Sequence, residues 1–406
     1  MKKIKTNILN PISSSQVEYL KNTFLTIENG KISSISKETK TSDFSDHSDC
    51  ICIPGLIDTH VHLSQYFIRG SHSSNLLHWL NTYAFPEELK SKDLEYAKKV
   101  ARDFFKDSVR KGTTTSVIYT APFKQACETA FQIAREIGVR AIIGKTMMDC
   151  NSPDFLLQDT EVAFKESLEL FEKWNNKTKL LEYVFTPRFA LTCSSKLMQM
   201  TGDFAKQNNA YIQTHLSENH EEIRTTLKLF PDCDNYTQVY EKFNLLGPKT
   251  ILGHVIHIDD NELDIIKETG SKIAHCPDSN FFIKSGEFPF EKIKNKKISF
   301  ALASDVAGGT SISMLNVMKM CNYRQQNYIV SPTEAFYYAT LCGAKVLGKE
   351  KIIGSIKVGK DADLTFIKIP EIENKEKENI LSELVYLGTE RKIKATFVAG
   401  KPVFQS

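Results

Sequence analysis

The 406-residue chain has few long apolar runs, no low-complexity segments and no dense cysteine pattern. No segment approaches the roughly 20 consecutive apolar residues that a membrane span needs. The lysines near the first residue are not followed by the apolar stretch of a secretory signal. With 41% hydrophobic and 25% charged residues, the composition is that of an ordinary soluble globular protein. We therefore expect a cytoplasmic protein that does not enter membranes.

The cysteines are too dispersed for a disulfide framework. There are nine, an odd number, scattered from Cys50 to Cys342, and this distribution indicates reduced thiols. Cys50 and Cys52 lie close to His47, which leaves a small metal cluster as an alternative. No second cysteine pair follows at the spacing of a zinc finger, and this counts against that alternative.

The chain also lacks an excess of one charge. Its formal net charge is +3, and acidic and basic residues are mixed along its length, so no basic face for nucleic acid is expected. A small-molecule substrate fits better. A glycine-rich phosphate loop after an early strand is also missing, and Gly308-Gly309 comes too late in the chain to supply one. This disfavours the alternative of an open, doubly wound sheet.

Both ends of the sequence predict short β-strands. Asn29-Gly30 lies between two apolar stretches and is a strong hairpin signal, and Gly400 separates two further strands. A strand is also expected after the turn-rich residues 358–363. We therefore predict that residues 1–53 and 351–406 pair into a small β-sandwich domain beside a main body of residues 54–350.

The main body alternates short apolar stretches with longer amphipathic ones, as repeated βα units do. Helices are expected at 123–137, 164–174 and 195–207. The expected strands are residues 51–58, 114–119, 140–144, 181–185, 210–215, 250–254, 272–275 and 300–305. Eight such units predict an α/β fold, a TIM-like (β/α)8 barrel.

Metal-binding residue types fall at the ends of these predicted strands: His60, His62, His215, His254, His275 and Asp305. In a TIM barrel these strand ends form the face that carries active sites. Side chains two apart on an extended segment point the same way, so His60 and His62 can bind one ion together. Three imidazoles and one carboxylate suit zinc.

Glu218 lies three residues beyond His215, within reach of a water molecule at such a metal. A carboxylate there can shuttle protons. The alternative is an ordinary acid in the first turn of a helix capped by Ser217, where the helix dipole also favours Glu221 and Glu222.

Several motifs give the chain a specific resemblance. The residues Pro54-Gly-Leu-Ile-Asp-Thr-His-Val-His62 resemble the metal motif that opens the amidohydrolase superfamily. Later blocks, in the same order, are similar to those of its guanine-deaminating members. These blocks are Ser64-Gln65-Tyr66, Trp79-Leu-x-x-Tyr83-x-Phe85-Pro86, Lys111-Gly-Thr-Thr-Thr, Pro187-Arg188-Phe189-x-Leu-x-Cys193-Ser194, His215-x-Ser-Glu218-Asn219, His275-Cys-Pro-x-Ser-Asn280 and Asp305-Val-Ala-Gly-Gly.

Carried over position by position, the resemblance implies one zinc ion per subunit, bound by His60, His62, His215 and Asp305. It makes Glu218 the proton shuttle and places His254 beside the metal-bound water and the substrate, with Asp305 as a further proton acceptor. Gln65 and Arg188 would bind the polar edge of a purine, backed by Phe189, in a pocket that includes Trp79. An arginine fork suits a carbonyl beside a ring nitrogen, and an amide can both donate and accept.

The reaction implied is hydrolytic deamination of guanine to xanthine and ammonia by a homodimer, the commonest oligomeric state. A related enzyme acting on another amino-heterocycle, such as a modified purine or a pterin, is the first alternative. A non-catalytic scaffold with the same fold is the second. Leu63, Ser64 and Asp278 depart from the family pattern, and this bears on the substrate. Lys145 is the nearest candidate for a metal-bridging carboxylated lysine, and we interpret it as structural.

Overall fold

The computed structural model describes residues 1–39, 41–73 and 75–406, which fold around two β-sheets. The strands of these residues are β1 (Lys2–Ser13), β2 (Gln16–Glu28), β3 (Lys31–Ser36), β4 (Ser45–Pro54), β5 (Leu56–His62), β6 (Thr113–Thr120), β7 (Arg140–Met147), β8 (Leu181–Pro187), β9 (Tyr211–Leu216), β10 (Thr250–His254), β11 (Lys272–His275), β12 (Phe300–Leu302), β13 (Leu364–Lys368), β14 (Ile393–Val398) and β15 (Lys401–Gln405).

The α-helices of the same residues are α1 (Leu76–Trp79), α2 (Phe85–Lys90), α3 (Leu94–Arg110), α4 (Lys124–Ile137), α5 (Thr160–Trp174), α6 (Ser195–Asn208), α7 (His220–Leu229), α8 (Tyr236–Lys242), α9 (Asp260–Thr269), α10 (Pro277–Phe282), α11 (Phe290–Asn295), α12 (Met314–Tyr323), α13 (Pro332–Tyr338), α14 (Leu341–Val346) and α15 (Lys377–Tyr386). Short 3-10 segments lie at Leu63–Ile68, Ala190–Thr192, Ile372–Asn374 and Gly388–Glu390, and a π-helical turn lies at Leu80–Ala84.

Strands β5 to β12 form a parallel barrel. They lie side by side in sequence order, and the pairings between neighbours are parallel. The first and last strands meet beyond the end of β12, where the amide of Asp305 donates to the carbonyl of His60 at 2.9 Å and the amide of His62 donates to that of Val306 at 2.8 Å. The predicted (β/α)8 barrel is confirmed.

The barrel strands are buried on both faces, since helices cover the outside. Every residue of β6 and of β7 is buried, as expected for a parallel sheet enclosed by its crossover helices. Two helix ends show how local sequence sets these limits. The Ser194 side chain caps the start of α6, and Gly138 ends α4 at a φ of 86°, a left-handed conformation that suits glycine.

Both chain ends contribute to the second sheet, whose seven strands have the order β15-β14-β13-β4-β1-β2-β3. The expected small β-domain is confirmed, and its strands form one continuous hydrogen-bonded sheet. Asn29 and Gly30 have φ values of 50° and 81° between β2 and β3, as the predicted hairpin turn requires. Ala399 and Gly400 form the equivalent turn between β14 and β15, with φ values of 44° and 73°.

Alternating side chains of β4 join this sheet to the barrel. Ile51 and Ile53 pack into the large core that includes the barrel's helices, whereas Cys50 and Cys52 point into the core of the small domain. Burial raises the pKa of Cys50 to about 12. All nine cysteines are free, and Cys50 and Cys52 do not belong to either cluster of metal-binding groups in the described residues.

The first and last barrel strands do not have the predicted limits. The apolar run 51–58 was expected to be one strand, but it is divided between β4 and β5 at Gly55. A Cβ at Gly55 would lie 2.1 Å from the Thr114 hydroxyl oxygen, so the chain turns here at a point of close contact with β6. The last barrel strand was expected to reach Asp305, but β12 ends at Leu302.

No helix in the described ranges is both long enough and apolar enough to cross a membrane. The division at 53/54 and 350/351 stays a prediction. Residues 351–406 supply the last three strands of the small sheet, and also α15, which packs against α12 and α13.

Candidate metal centre and active-site pocket

Three strand ends bring the four predicted metal ligands together. His60 and His62 end β5, His215 is the penultimate residue of β9, and Asp305 follows β12. All four are buried, with His215 the most exposed at 9%. Gly253 of β10 makes room for the His60 ring, because a Cβ there would lie 2.9 Å from Cε1 of that ring.

The donor atoms of these residues converge. Asp305 Oδ1 lies 3.3 Å from His60 Nε2 and 3.4 Å from His62 Nε2. His62 Nε2 lies 3.2 Å from His215 Nε2. His215 Nδ1 lies 2.7 Å from the carbonyl oxygen of Arg188. That contact requires a proton on Nδ1, so it leaves the Nε2 lone pair directed at the cluster.

The cluster fits a metal ion. Both ring nitrogens of His60 are buried and lack a hydrogen-bond partner among the described residues, which is costly unless another ligand engages them. Burial and the neighbouring histidines lower the pKa of His62 and of His215 well below the ordinary value, which favours the neutral imidazole that a metal ligand requires. Three imidazole nitrogens and a carboxylate are a donor set that zinc prefers.

Asp305 has an unfavourable backbone conformation. Its φ of 47° lies in the left-handed region, where strained residues at functional sites are often found. Burial alone would raise its pKa, but the nearby imidazoles of His60 and His254 lower it to about 2. Asp58 braces the segment, since its carboxylate accepts from the amide of Ser304 at 2.9 Å and from the amide of His60 at 3.3 Å.

Glu218 and His254 form a pair beside the metal-binding cluster. His254 Nε2 lies 3.5 Å from Glu218 Oε2 and 3.8 Å from Asp305 Oδ2. Burial raises the pKa of Glu218. Burial opposes the charge on His254, but the carboxylates of Glu218 and Asp305 overcome this effect and raise its pKa. Ser285 donates to Glu218 Oε1 at 2.8 Å, and Asn280 Oδ1 lies 2.8 Å from His254 Nδ1.

The alternative interpretation of Glu218, as an acid inside a helix capped by Ser217, is wrong. Helix α7 begins at His220 and its cap is Asn219, so Glu218 precedes the helix. Glu222 folds back to complete the cap, and its Oε2 accepts from the amides of Glu218 at 3.0 Å and Asn219 at 3.1 Å. Glu218 is thereby fixed on a rigid turn and directed into the barrel mouth.

A pocket of about 420 Å³ opens above the cluster. It contains predicted metal-binding, proton-transfer and substrate-binding residues together. Its lining is His62, Gln65, Leu76, Trp79, Leu80, Arg188, Phe189, His215, Glu218, Glu222, His254, Ile283, Asp305 and Gly308. His60 lies beneath it. Polar side chains that converge beside apolar and aromatic ones, as they do here, are typical of small-molecule sites.

Glu88, which the sequence did not single out, connects two of the predicted substrate-binding residues. Its Oε1 accepts from Gln65 Nε2 at 2.7 Å, and both of its carboxylate oxygens accept from Arg188 Nη1, at 2.9 and 2.8 Å. Glu88 follows the Tyr83-x-Phe85-Pro86 block, but the sequence cannot separate it from Glu87 beside it. Glu87 instead contacts Lys90 and Tyr96.

Three other residues that the sequence singled out lie outside the pocket lining. His275 ends β11, but its ring stacks on Phe288 at 4.0 Å, and burial lowers its pKa to about 3. Lys145 is buried against Gln158 and Glu166. Asp278, a departure from the family pattern, accepts from the amide and hydroxyl of Thr310, each at 2.8 Å, and so secures the loop after Asp305.

A closed parallel barrel with three histidines and an aspartate at its strand ends is the architecture of metal-dependent hydrolases that have the TIM-barrel fold. Residues 51–403 match the model described as the amidohydrolase family, and the chain belongs to that family.

Two relatives and one solved structure that are similar to this chain over most of its length are guanine deaminases. The chain is 36% identical to guanine deaminase of Escherichia coli K12 over 371 residues, covering 89% of this chain and 84% of the relative. It is 36% identical to that of Dictyostelium discoideum over 369 residues, covering 86% and 82%. Among solved structures, guanine deaminase from C. acetobutylicum with guanine bound in its active site superimposes with a TM-score of 0.95 at 32% identity, covering 99% and 100%.

Proposed function

We propose that this chain catalyses the hydrolytic deamination of guanine to xanthine and ammonia. The observation that carries the proposal is one pocket that is lined both by residues of the metal-binding cluster and by Gln65 and Arg188. The first places a water molecule for attack, and the second recognises the polar edge of a base. The guanine deaminases among the relatives, and the solved one that contains guanine, support this choice of substrate.

His60, His62, His215 and Asp305 would hold one zinc ion per subunit. When bound, zinc supplies the Lewis acidity that makes a water molecule acidic enough to react near neutral pH. The family is metal-dependent, and the unpartnered nitrogens of His60 favour an ion at this position.

Glu218 moves the protons. It accepts a proton from the attacking water, with Asp305 as a second acceptor, while the water oxygen bonds to C2 of the purine. Glu218 then delivers protons to a ring nitrogen and to the amine at C2, and the C2–N bond breaks to release ammonia. His254, whose Nε2 lies 3.5 Å from Glu218, stabilises the charge that develops at the attacked carbon.

Arg188, Gln65 and Phe189 orient the base. Arg188 donates to the purine carbonyl, Gln65 contacts the neighbouring ring nitrogen, and the Phe189 ring backs the base plane. Trp79 closes one wall and is anchored by its Nε1, which donates to the carbonyl of Ser71 at 2.8 Å. These contacts orient C2 toward the metal-binding cluster. Holding the reacting groups in this orientation accelerates the reaction.

The test is guanine turnover, followed by ultraviolet absorbance, with zinc content measured on the same sample. A panel of amino-heterocycles, including modified purines and a pterin, separates guanine from the alternative substrates. No turnover of guanine alongside turnover of another base would refute our choice of substrate. Purified protein that binds no zinc and turns over nothing would instead support a non-catalytic scaffold.

Three further properties belong to the same proposal: a homodimer, a cytoplasmic location and a role in purine catabolism. Light scattering after gel filtration measures the first, and a mass of one subunit would refute it. Fractionation of the source cells tests the second, and guanine accumulation after gene deletion tests the third. We also propose the division of the chain into 1–53, 54–350 and 351–406, which limited proteolysis can examine.

A further inference from the structure

We propose that Glu88 is a positioning residue that fixes the amide orientation of Gln65, and so makes the pocket prefer a purine with a ring N–H beside a carbonyl. This inference rests on the proposed function, because it assumes that a purine base occupies the pocket. It assigns a specificity role to a residue that contacts neither the metal-binding cluster nor the proton shuttle.

The orientation of Gln65 follows from the chemistry of its neighbours. A carboxylate only accepts hydrogen bonds, so the Gln65 atom 2.7 Å from Glu88 Oε1 must be the NH2 nitrogen. At the other end, Gln65 Oε1 accepts from the amide of Ala307 at 3.4 Å. A flipped amide would set an oxygen against the carboxylate and an N–H against an N–H. Both contacts therefore select the same orientation.

This orientation leaves an acceptor for the ligand. A carbonyl oxygen has two acceptor sites, and Ala307 uses one of them. Gln65 lines the pocket, so its second site can accept from a ring N–H. An amide free to rotate would offer a donor just as readily.

Glu88 organises Arg188 in the same way. Both carboxylate oxygens engage Nη1 alone, and no hydrogen bond to the described residues occupies Nε or Nη2. The guanidinium carbon lies 5.0 Å from the centroid of the Phe85 ring, which supports its plane. Arg188 thus keeps donors for a carbonyl oxygen beside the acceptor of Gln65.

The resulting pattern, acceptor beside donor, matches the N1–H and C6=O edge of a 6-oxopurine. A 6-aminopurine presents a ring nitrogen acceptor and an amine donor at the same two places, so it mismatches both residues. Sites built to hydrogen-bond one group reject an analogue lacking it by large factors, because their own buried polar groups are left unpaired. Glu88 is 1% exposed, so water cannot replace its contacts in the folded protein.

The test compares two bases without an amine at C2, so that binding is measured without turnover. Hypoxanthine carries the N1–H and C6=O edge, and adenine carries the mismatched one. Calorimetric titration of the zinc-loaded protein gives the two dissociation constants and their ratio. We expect the unchanged protein to favour hypoxanthine, and Glu88→Gln to reduce that preference about tenfold or more, since an amide at position 88 permits both orientations of Gln65.

Glu87→Gln is the matched control. Glu87 is the adjacent buried carboxylate of α2, at 3% exposure, and does not line the pocket. Its substitution should leave the hypoxanthine-to-adenine ratio within about twofold, although it removes a charge from the same helix. Melting temperatures of both variants show whether a change in the ratio comes from general loosening of the fold.

An unchanged ratio in Glu88→Gln would overturn the inference, as would an equal loss in Glu87→Gln. If Glu88→Gln does not fold, Glu88→Asp retains the charge but shortens the reach to Gln65. A reduced ratio in that variant would support the inference, and an unchanged ratio would overturn it. Guanine turnover by the unchanged protein is recorded separately. Its absence would refute the proposed function, whereas the binding ratio tests Glu88 whether or not turnover occurs.

Discussion

Arg140, the first residue of β7, ties the barrel to the sheet made by the chain ends. Its Nε donates to Asp363 Oδ2 at 3.0 Å, its Nη2 to Asp361 Oδ2 at 2.9 Å and its Nη1 to the carbonyl of Lys179 at 3.1 Å. The side chains of Arg140 and Asp363 are 3% and 2% exposed. Removing the cation therefore leaves a carboxylate in the interior without its main partner, which costs about 3–5 kcal/mol.

We expect Arg140→Met to lower the free energy of unfolding by about 3 kcal/mol, the lower end of that range. Asp363 keeps a hydrogen bond from the amide of Ala399 at 2.7 Å, and Asp361, with 14% of its side chain exposed, can be hydrated. Methionine preserves much of the aliphatic packing of arginine. Urea titration measures the loss, and adding Asp363→Asn should recover part of it by removing the stranded charge.

Arg102→Met is the control for this experiment. Arg102 also forms a two-point contact with a carboxylate, that of Glu136, but their side chains are 40% and 54% exposed. Exposed pairs contribute little to stability. If Arg140→Met destabilised the protein no more than Arg102→Met does, the reasoning that this buried ion pair joins the two sheets would be refuted.

Three further predictions concern the barrel. Glu218→Gln should lower kcat for guanine about 10²- to 10⁴-fold with zinc content unchanged by mass spectrometry, and near-normal turnover would remove Glu218 from its proposed role. Gly202→Ala should destabilise the protein by about 1–3 kcal/mol, because the new Cβ would lie 1.9 Å from the carbonyl oxygen of Phe243. Urea titration measures this loss. Gly247→Ala is the control, since a Cβ at Gly247 meets nothing within 4 Å. Burial lowers the pKa of Lys145 to about 8, so between that value and its ordinary value of 10.5 the unfolded chain binds more protons and stability from this residue should rise with pH. Urea midpoints from pH 7.5 to 9.5 measure that rise, and an undiminished rise in Lys145→Met would contradict the assignment.

The barrel could be predicted because its signals are local. Apolar strands followed by amphipathic helices repeat along the chain, and the period of two predicts that His60 and His62 point the same way. Parallel strands then bring distant strand ends to one face, which is why His215 and Asp305 could be grouped with that pair. The long-range convergence follows from topology, and it needs no knowledge of individual side-chain contacts.

Other features could not be predicted, since they depend on packing between segments far apart in sequence. The residues Ile51-Cys-Ile-Pro-Gly-Leu-Ile-Asp58 form one apolar run in the sequence, and only the contact with β6 divides this run into two strands at Gly55. Glu88 is one of two adjacent glutamates, and the position of α2 over the pocket decides which one meets Gln65 and Arg188. The left-handed φ of Asp305 likewise reflects how the loop beyond β12 meets β5.

The seam between the first and last barrel strands explains how one short segment holds both a metal ligand and a substrate contact. Along this seam the amide of Asp305 bonds to the carbonyl of His60, that of His62 bonds to the carbonyl of Val306, and that of Ala307 donates to Gln65 Oε1. The same hydrogen-bonded seam therefore positions the ligands from two strand ends and the residue proposed to bind the purine. A change that loosens the seam should weaken zinc binding and base orientation together. The substitution Glu88→Gln, which acts from α2, should affect base orientation alone, so measuring zinc content beside base preference separates the two routes by which selectivity can be lost.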